Sequence, residues 1–487
     1  MIKNNMVRGV SAGALAVLLP ACGHLPAAGP AFDAMTDKRA GLPADWTLAE
    51  MTGDPAAVIA DYSIFNDAQL IAFVQEALEN NRNLRAAIEN VKQSEALLKQ
   101  TRSGLWPQLR ATLRAESTTL VDNFDFNDTD YSFNLTGGYD VDVMGDLNSS
   151  IQASSAGLRS TQATYEQTRR QIAATVARAY FAVIEQQLQL DLDQRSLTRQ
   201  RDTFRITQTR YDAGSVARDE LVLGQSDLAA AESRIYSSQA SLRSAVRALE
   251  VALGRFPQNK LVITGTLPEP PAIPPLGTPE LTIRSRPNVV AAELNMIQTF
   301  ANNQVTRLQP WPQIGIDMSL EQFNSSTNSI GDLFDLDDLA FTIGATLAQT
   351  IFDGGAISGR IEASDAGKRQ ALERYGQTII DAYGEIVGAV DQFNTLGARN
   401  TALTRASEAA NESLRLGELR YNEGSESLLN LFQVRTRAEL AESQLIANRR
   451  ARLDQWITLH TALGGNPTQS QPLANRASLA DGGKHED

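Results

Sequence analysis

The sequence predicts a mixed α+β membrane protein in which short β-hairpins are joined to very long helices. Three observations predict this class. Stretches of strict apolar–polar alternation indicate strands. Proline-free segments at about 146–211 and 356–421 indicate helices on the order of 100 Å long, at about 1.5 Å per residue. The second half of the chain also repeats the first, which indicates two tandem structural repeats.

The alternating pattern marks four strands. Two of them cover 108–116 and 313–321, and each is followed by a return strand, the first at 131–143 and the second around Phe341 and Ile343. Alternation with one apolar face is typical of a sheet between two different media. Both outgoing strands start after a Trp-Pro pair, since proline cannot continue a helix but is tolerated at the first residue of a strand. These pairs are Trp106, Pro107, Trp311 and Pro312.

The repeat holds one spacing over many positions. The two Trp-Pro pairs are 205 residues apart, and from the second strand onward the spacing is 210. Helical periodicity also predicts shorter helices at 68–104 and about 217–253, the latter with the seven-residue leucine spacing of a coiled coil. The two are together about as long as one long helix, so we expect them end to end beside it. Residues paired at a spacing of 210 include Arg210 and Arg420, Tyr211 and Tyr421, Gly214 and Gly424, and Glu232 and Glu442.

The N-terminus has the composition of an export signal. Lys3 and Arg8 precede an apolar run, 10–21, that is too short to span a bilayer as a helix. A small residue followed by Cys22 resembles the bacterial lipobox, which implies cleavage after residue 21 and acylation of Cys22. Gly23 at the next position favours the outer membrane by the same resemblance. The alternative is an ordinary signal peptide with an incidental cysteine.

Composition divides the chain into six segments and restricts its partners. The net charge of −13 becomes −15 without residues 1–21, because Lys3 and Arg8 are lost, and so acidic a chain is unsuited to binding nucleic acid. The predicted segments are a signal peptide (1–21), a lipid-anchored extended arm (22–65), a first repeat (66–256), a proline-rich linker at the waist (257–279), a second repeat (280–465) and a polar C-terminal tail (466–487).

Four strands with one apolar face are too few to close a barrel in lipid, where open edges are not tolerated. Several copies must therefore contribute, two giving eight strands and three giving twelve. The alternative is a soluble β-sandwich, or a strand pair packed on helices. The aromatic residues predicted to face lipid are Trp106, Tyr131, Phe133, Tyr139, Trp311 and Phe341.

Three features of the sequence support a resemblance to a known family: the duplicated Trp-Pro-Gln sequences, the duplicated Arg-Tyr-x-x-Gly-Ser turns and the predicted turn from the fourth strand into the second long helix, 352–355 (Phe-Asp-Gly-Gly). On these features, the chain resembles the TolC-like outer-membrane efflux factors over about 60–465. With Cys22, the resemblance extends to the lipoprotein branch that partners resistance-nodulation-division pumps. It implies a homotrimer with a twelve-stranded transmembrane β-barrel and a periplasmic α-helical barrel. It also implies a periplasmic membrane-fusion adaptor, an inner-membrane pump, and export of small molecules such as drugs. A type I protein secretion channel and a non-conducting periplasmic lipoprotein remain alternatives.

The two turns are the predicted periplasmic gate. Helix capping explains part of their pattern, because a basic residue suits a helix C-terminus and glycine suits its cap. The nearby acids would form rings around a symmetric pore. The predicted gate residues are Arg210, Tyr211, Asp212, Arg420, Tyr421, Glu423 and Glu426. By resemblance, the adaptor docks at Tyr211, Gly214, Tyr421 and Gly424.

Sequence motifs for catalysis are absent, so we expect no enzyme activity and no cofactor. The three histidines, His24, His460 and His485, are far apart in the sequence and have no metal-ligand spacing. Acid pairs such as Asp140 and Asp142 alternate onto one strand face, where we expect them to line the lumen.

Replacing Cys22 by serine tests the lipid anchor. The variant should lose palmitate labelling yet keep part of its activity, because a barrel would already hold the protein in the membrane. Labelled palmitate feeding followed by gel fluorography measures this. Wild-type protein that takes up no label would contradict the prediction.

Overall fold

The computed structural model describes residues 62–117, 129–273, 276–322 and 339–464. The predicted signal peptide, Cys22, the arm up to residue 61 and the tail from 466 lie outside the described residues. The helices are α1 (Ala68–Asn80), α2 (Arg82–Arg102), α3 (Asp146–Asp212), α4 (Arg218–Ala252), α5 (Pro279–Arg284), α6 (Pro287–Leu308), α7 (Ala356–Asn422) and α8 (Leu428–Ala462). The strands are β1 (Gln108–Ser117), β2 (Thr129–Val141), β3 (Gln313–Gln322) and β4 (Leu339–Ala348).

The long helices have the predicted positions. Helices α3 and α7 have 67 residues each, and α4 and α8 have 35 residues each. The prediction of a single helix at 68–104 is wrong, because the helix is interrupted at Asn81. This residue has an extended backbone, and its side chain accepts hydrogen bonds from the N–H groups of Asn83 and Leu84. Asparagine is a preferred N-cap, so it starts a second helix instead of continuing the first.

The shorter helices lie beside opposite ends of α3. Near its start, the Ser154 hydroxyl lies 2.9 Å from that of Thr101 on α2. Near its end, Arg201 forms an ion pair with Glu232 on α4 at 3.4 Å. Helix α3 also contacts α6 and α8, which in turn contact α7. The order of helices is therefore α2–α3–α6–α7 in one half and α4–α3–α8–α7 in the other.

The four strands form one antiparallel sheet in chain order. Residues paired across strands share a face, so the register tests the predicted alternation. Leu135 lies opposite Ala111 and Leu320, and Leu320 lies opposite Phe341. The neighbouring polar row runs from Arg110 through Thr136 and Ser319 to Thr342. Apolar and polar residues thus line up on separate faces across all four strands, as predicted.

The largest core cluster lies at the waist, where residues 62–67 pack on the middle of α3 and the end of α8. Phe65 packs edge-on against Phe181 and Trp456, with ring centroids 5.3 and 5.0 Å apart. The Tyr180 hydroxyl donates a 2.6 Å hydrogen bond to Asp67, the N-cap of α1. Residues 257–273 of the predicted linker form no helix or strand and contact the same region, where Gln187 donates to the Ile263 carbonyl at 3.0 Å.

A buried polar layer joins the four helices near the two turns. Arg435 on α8 is only 4% exposed. Its guanidinium donates hydrogen bonds to Gln200 and Thr203 on α3, and lies 3.9 Å from the carboxylate of Glu418 on α7. Burial lowers the pKa of Arg435, and the charges of Glu418 and of Asp227 on α4 oppose that shift. The layer therefore places the buried guanidinium of Arg435 among side chains of four helices, with the guanidinium of Arg199 on α3 beside the same Glu418 carboxylate at 4.0 Å.

Replacing Arg435 by alanine should lower the free energy of unfolding by about 3 kcal/mol, because it leaves the buried acceptors on Gln200 and Thr203 without their donor and removes one of the two guanidinium groups beside Glu418. The measurement is urea unfolding in detergent, followed by far-ultraviolet circular dichroism. The matched control is Gln225→Ala, since Gln225 is the exposed residue of α4 at the position equivalent to Arg435. Equal losses in the two variants would contradict a structural role for the layer.

Candidate functional site

The two Arg-Tyr turns have the same capping geometry. Gly214 and Gly424 have φ angles of 72° and 76°, in the left-handed region that favours glycine. The N–H of Ser215 donates to the carbonyl of Arg210 at 2.8 Å. The equivalent bond, from Ser425 to Arg420, is 2.9 Å long. The glycine and serine of the motif therefore close the ends of α3 and α7, which is the capping role that was left open as an alternative.

Arg210 fastens the end of α3 onto the turn between α7 and α8. Its guanidinium donates to the carbonyls of Tyr421 and Asn422 at 2.7 and 3.0 Å. It also lies 4.8 Å from the ring centroid of Tyr421, a cation–π geometry. Tyr421 is 1% exposed, and its hydroxyl lies 2.6 Å from that of Thr207 on α3. Tyr421 is thus part of the contact between the two turns.

Tyr211 and Arg420, the residues equivalent to Tyr421 and Arg210 in the opposite repeat, are both exposed. Tyr211 is 36% exposed. Arg420 forms a 3.9 Å ion pair with Glu426 in its own turn, so its acidic partner within the chain is Glu426 and not Glu423. Asp212 accepts a 2.9 Å hydrogen bond from Gln208, one turn earlier on α3. The structure therefore brings Arg210 and Tyr421 together and leaves Tyr211 and Arg420 accessible.

The polar face of the sheet carries the carboxylates of Asp317 and Asp140, one hydrogen-bonded to a threonine and the other opposite a glycine. Thr346 on β4 donates a 2.9 Å hydrogen bond to Asp317 on β3. Gly315, also on β3, lies opposite Asp140, whose carboxylate would be 3.7 Å from a Cβ atom at that glycine. The other face is apolar and open, with Leu109 and Leu347 each 70% exposed.

Strands β1 and β3 begin directly after Pro107 and Pro312, and the tryptophans before them, Trp106 and Trp311, are 73% and 56% exposed. The backbone N–H of each tryptophan closes the preceding turn. Trp106 donates to the carbonyl of Ser103 at 3.1 Å, and Trp311 donates to the carbonyl of Leu308 at 3.0 Å.

The prediction that Asp142 lies on the strand face with Asp140 is wrong. Strand β2 ends at Val141, and the Asp142 carboxylate accepts hydrogen bonds from the N–H groups of Leu147 and Asn148 at 3.2 and 2.9 Å. It therefore caps α3. Asp353 does the same for α7, accepting from Gly355 at 2.9 Å, which matches the strand-to-helix turn predicted there. The free N–H groups at a helix start satisfy such a carboxylate, and they outweigh the alternation that placed Asp142 in the strand.

Two residues of the site are not among those that the two Arg-Tyr turns share in sequence. Thr207 and Asn422 contribute a hydroxyl and a carbonyl to the contact between the turns; Thr207 lies outside the repeated motif, and Asn422 occupies one of its unspecified positions. Across the described ranges, no helix is long and apolar enough to cross a membrane. The same ranges contain no group of three or more His, Cys, Asp or Glu side chains that could hold a metal ion.

Comparisons with known proteins agree with one another. The family model described as outer membrane efflux protein matches residues 73–255 and 278–465. The chain is 25% identical to the pyoverdine export outer membrane protein OpmQ of Pseudomonas aeruginosa, over 94% of this chain and 97% of that protein. It is 26% identical to the outer membrane protein OprJ of the same species, over 96% and 97%.

Solved structures have the same fold. The outer-membrane channel OprN matches with a TM-score of 0.77 at 22% identity, covering 87% of this chain and 97% of that one. The open state of the MtrE outer membrane channel of Neisseria gonorrhoeae matches with a TM-score of 0.73 at 22% identity, covering 87% and 95%. Since the family model covers most of the sequence in two consecutive segments, this chain belongs to the outer membrane efflux protein family of TolC-like channels.

Proposed function

We propose that this protein is the outer-membrane exit duct of a tripartite efflux system. In this proposal, small molecules pass from an inner-membrane pump and a periplasmic adaptor through a helical tunnel and a β-barrel to the outside. Three copies form the duct, and Cys22 adds a lipid anchor in the outer membrane.

The observation that carries the proposal is the separation of faces on the four-stranded sheet. An apolar row and a polar row cross all four strands in register. Such a sheet suits lipid on one side and water on the other. In the sheet described, β1 and β4 each have one neighbour and therefore one free edge. Free edges are too costly in lipid, so further copies must pair with them, and three copies give twelve strands.

The turns at the far end of the long helices support a closed entrance. Arg210 holds one turn against the other within a chain through main-chain carbonyls. In a ring of copies, the exposed Arg420 and Tyr211 would face neighbouring chains. The carboxylates of Asp212, Glu423 and Glu426 would then recur around the axis and favour cations. For the adaptor, we assign the accessible side chain of Tyr211 and the backbone at Gly214 and Gly424, with buried Tyr421 shaping the surface from behind.

The relatives indicate the range of cargo. One is named for pyoverdine export, one for solvent efflux and one for cation efflux. We therefore propose small molecules or ions as cargo. A susceptibility profile of a deletion strain, compared with an assay of secreted protein, separates this function from a type I protein secretion channel. Conductance in liposomes separates both channels from a non-conducting lipoprotein.

The central experiment is the mass and conductance of the purified wild-type protein. A trimeric mass in mild detergent and discrete conductance steps in planar bilayers are expected. A monomeric mass, or bilayers that stay silent, would overturn the proposal.

Arginine substitutions on the two faces of β2 test which face meets lipid. Leu135→Arg should destabilise insertion by roughly 2–4 kcal/mol near the bilayer midplane. Thr136→Arg, one residue along and on the polar face, should be much milder because its charge stays in water. The fraction of heat-modifiable trimer in outer-membrane preparations measures insertion. Equal effects of the two variants would contradict the assignment of faces.

Removing both turn arginines tests the gate. The double variant Arg210→Ala, Arg420→Ala should raise single-channel conductance severalfold, because it releases contacts within and between chains. Arg205→Ala is the matched control, since Arg205 is an exposed residue of α3 paired at 3.7 Å with Asp202 on the same helix. If the double variant conducts like the control, the constriction lies elsewhere and the turns serve as caps.

A further inference from the structure

Helices α3 and α7 are alike in length but differ in their neighbours. Helix α3 packs extensively against four helices, α2, α4, α6 and α8. Helix α7 packs extensively on α6 and α8 within the described chain, and α2 and α4 are not among its extensive contacts. One face of α7 therefore lacks the neighbours that the corresponding face of α3 has.

The repeats are related by constant shifts, so the contacts of α3 predict those of α7. Helices α3 and α7 start 210 residues apart, and so do α4 and α8. Helices α2 and α6 start 205 residues apart. A contact from α3 to α8 therefore corresponds to one from α7 to α4, and a contact from α3 to α6 corresponds to one from α7 to α2. Within one chain α2 and α4 already lie on α3, so α7 must meet those of another copy.

A charged pair follows this rule. Arg195 on α3 forms a 2.7 Å ion pair with Glu442 on α8. A shift of 210 residues leads to Arg405 on α7 and Glu232 on α4, which have the same two charges. Arg405 is exposed and has no ion pair or side-chain hydrogen bond within the described residues. Glu232 is exposed as well, and its 3.4 Å pair with Arg201 leaves half of its side chain open.

A glycine follows the same rule nearer the sheet. The side-chain amide of Gln298 on α6 lies 2.9 Å from the position of a Cβ atom at Gly157 on α3. The equivalent residues are Gly367 on α7 and Gln93 on α2. Nothing lies within 4 Å of a Cβ position at Gly367, and Gln93 is exposed. The chain thus has a space on α7 and, on α2, the same side chain that fills the equivalent space on α3.

We propose that α7 binds α2 and α4 of a second copy of this chain in the register of α3 with α6 and α8. Arg405 then pairs with Glu232 of the partner subunit, and Gln93 of the partner subunit covers Gly367. This inference rests on the cyclic assembly in the proposed function and adds the residues that set its register.

Cysteine cross-linking tests the register in the intact detergent-solubilised protein. Arg405→Cys and Glu232→Cys are made as single variants and co-expressed, so that only a link between subunits can join them. A short bismaleimide should give a linked dimer on a denaturing gel. With both substitutions in one chain, it should give dimers and trimers. The native Cys22 is present throughout, so any link through it also shows in each single variant alone.

Two controls make the result specific. Arg195→Cys with Glu442→Cys should link within one chain: the product migrates as a monomer, and its intact mass shows one bound reagent with both thiols consumed, which shows that the reagent reaches a pair at this distance. Arg405→Cys with Gln239→Cys places the second thiol two helical turns, about 10 Å, along α4, and should link poorly. Efficient linking at Gln239, or none at Glu232 while the intrachain control links, would overturn the register. The wild-type mass and conductance test the proposed function separately.

Discussion

The free edges of the four-stranded sheet are the constraint on which the rest of the structure depends. Strands β1 and β4 each have one neighbour among the described strands, so each keeps a row of N–H and C=O groups for another chain. In lipid those groups must be paired. In the proposed assembly, other copies pair with these edges, and the long helices that continue from the strands are arranged around the same axis. The proposed tunnel follows from pairing the sheet.

The duplication of the sequence gives the two halves of the chain the same few kinds of local structure. The two halves use the same helix lengths, the same glycine-capped turns and the same aspartate caps at the strand-to-helix junctions. Within one chain, however, equivalent residues have different surroundings. Tyr421 is buried by Arg210 and Thr207, whereas Tyr211 is 36% exposed. In the proposed assembly, a neighbouring copy covers Tyr211, and the difference between the two turns corresponds to the contact between copies.

The buried polar layer at Arg435 breaks this equivalence in a second way. Its counterpart in the first repeat is Gln225, an exposed and uncharged residue. A buried cation requires specific acceptors, so it defines how α8 sits on α3 more strictly than apolar packing would. The contact between α8 and α3 within the chain therefore contains a buried charge near the turns, whereas the equivalent position of the first repeat offers only the exposed amide of Gln225.

The sequence alone determined the lengths of the long helices, the two faces of each strand, the glycine turns and the family resemblance. These are local or periodic properties, so each can be read from its own stretch of sequence, as the two strand faces can be read from 108–116. Tertiary structure decided which equivalent residues become inequivalent. Asp142 left the predicted strand because free N–H groups at the start of α3 bind it, and the 68–104 helix broke where Asn81 could cap a new one. Tyr421 was buried and Tyr211 was not, since burial depends on which helix crosses the turn, and two identical motifs cannot encode that difference.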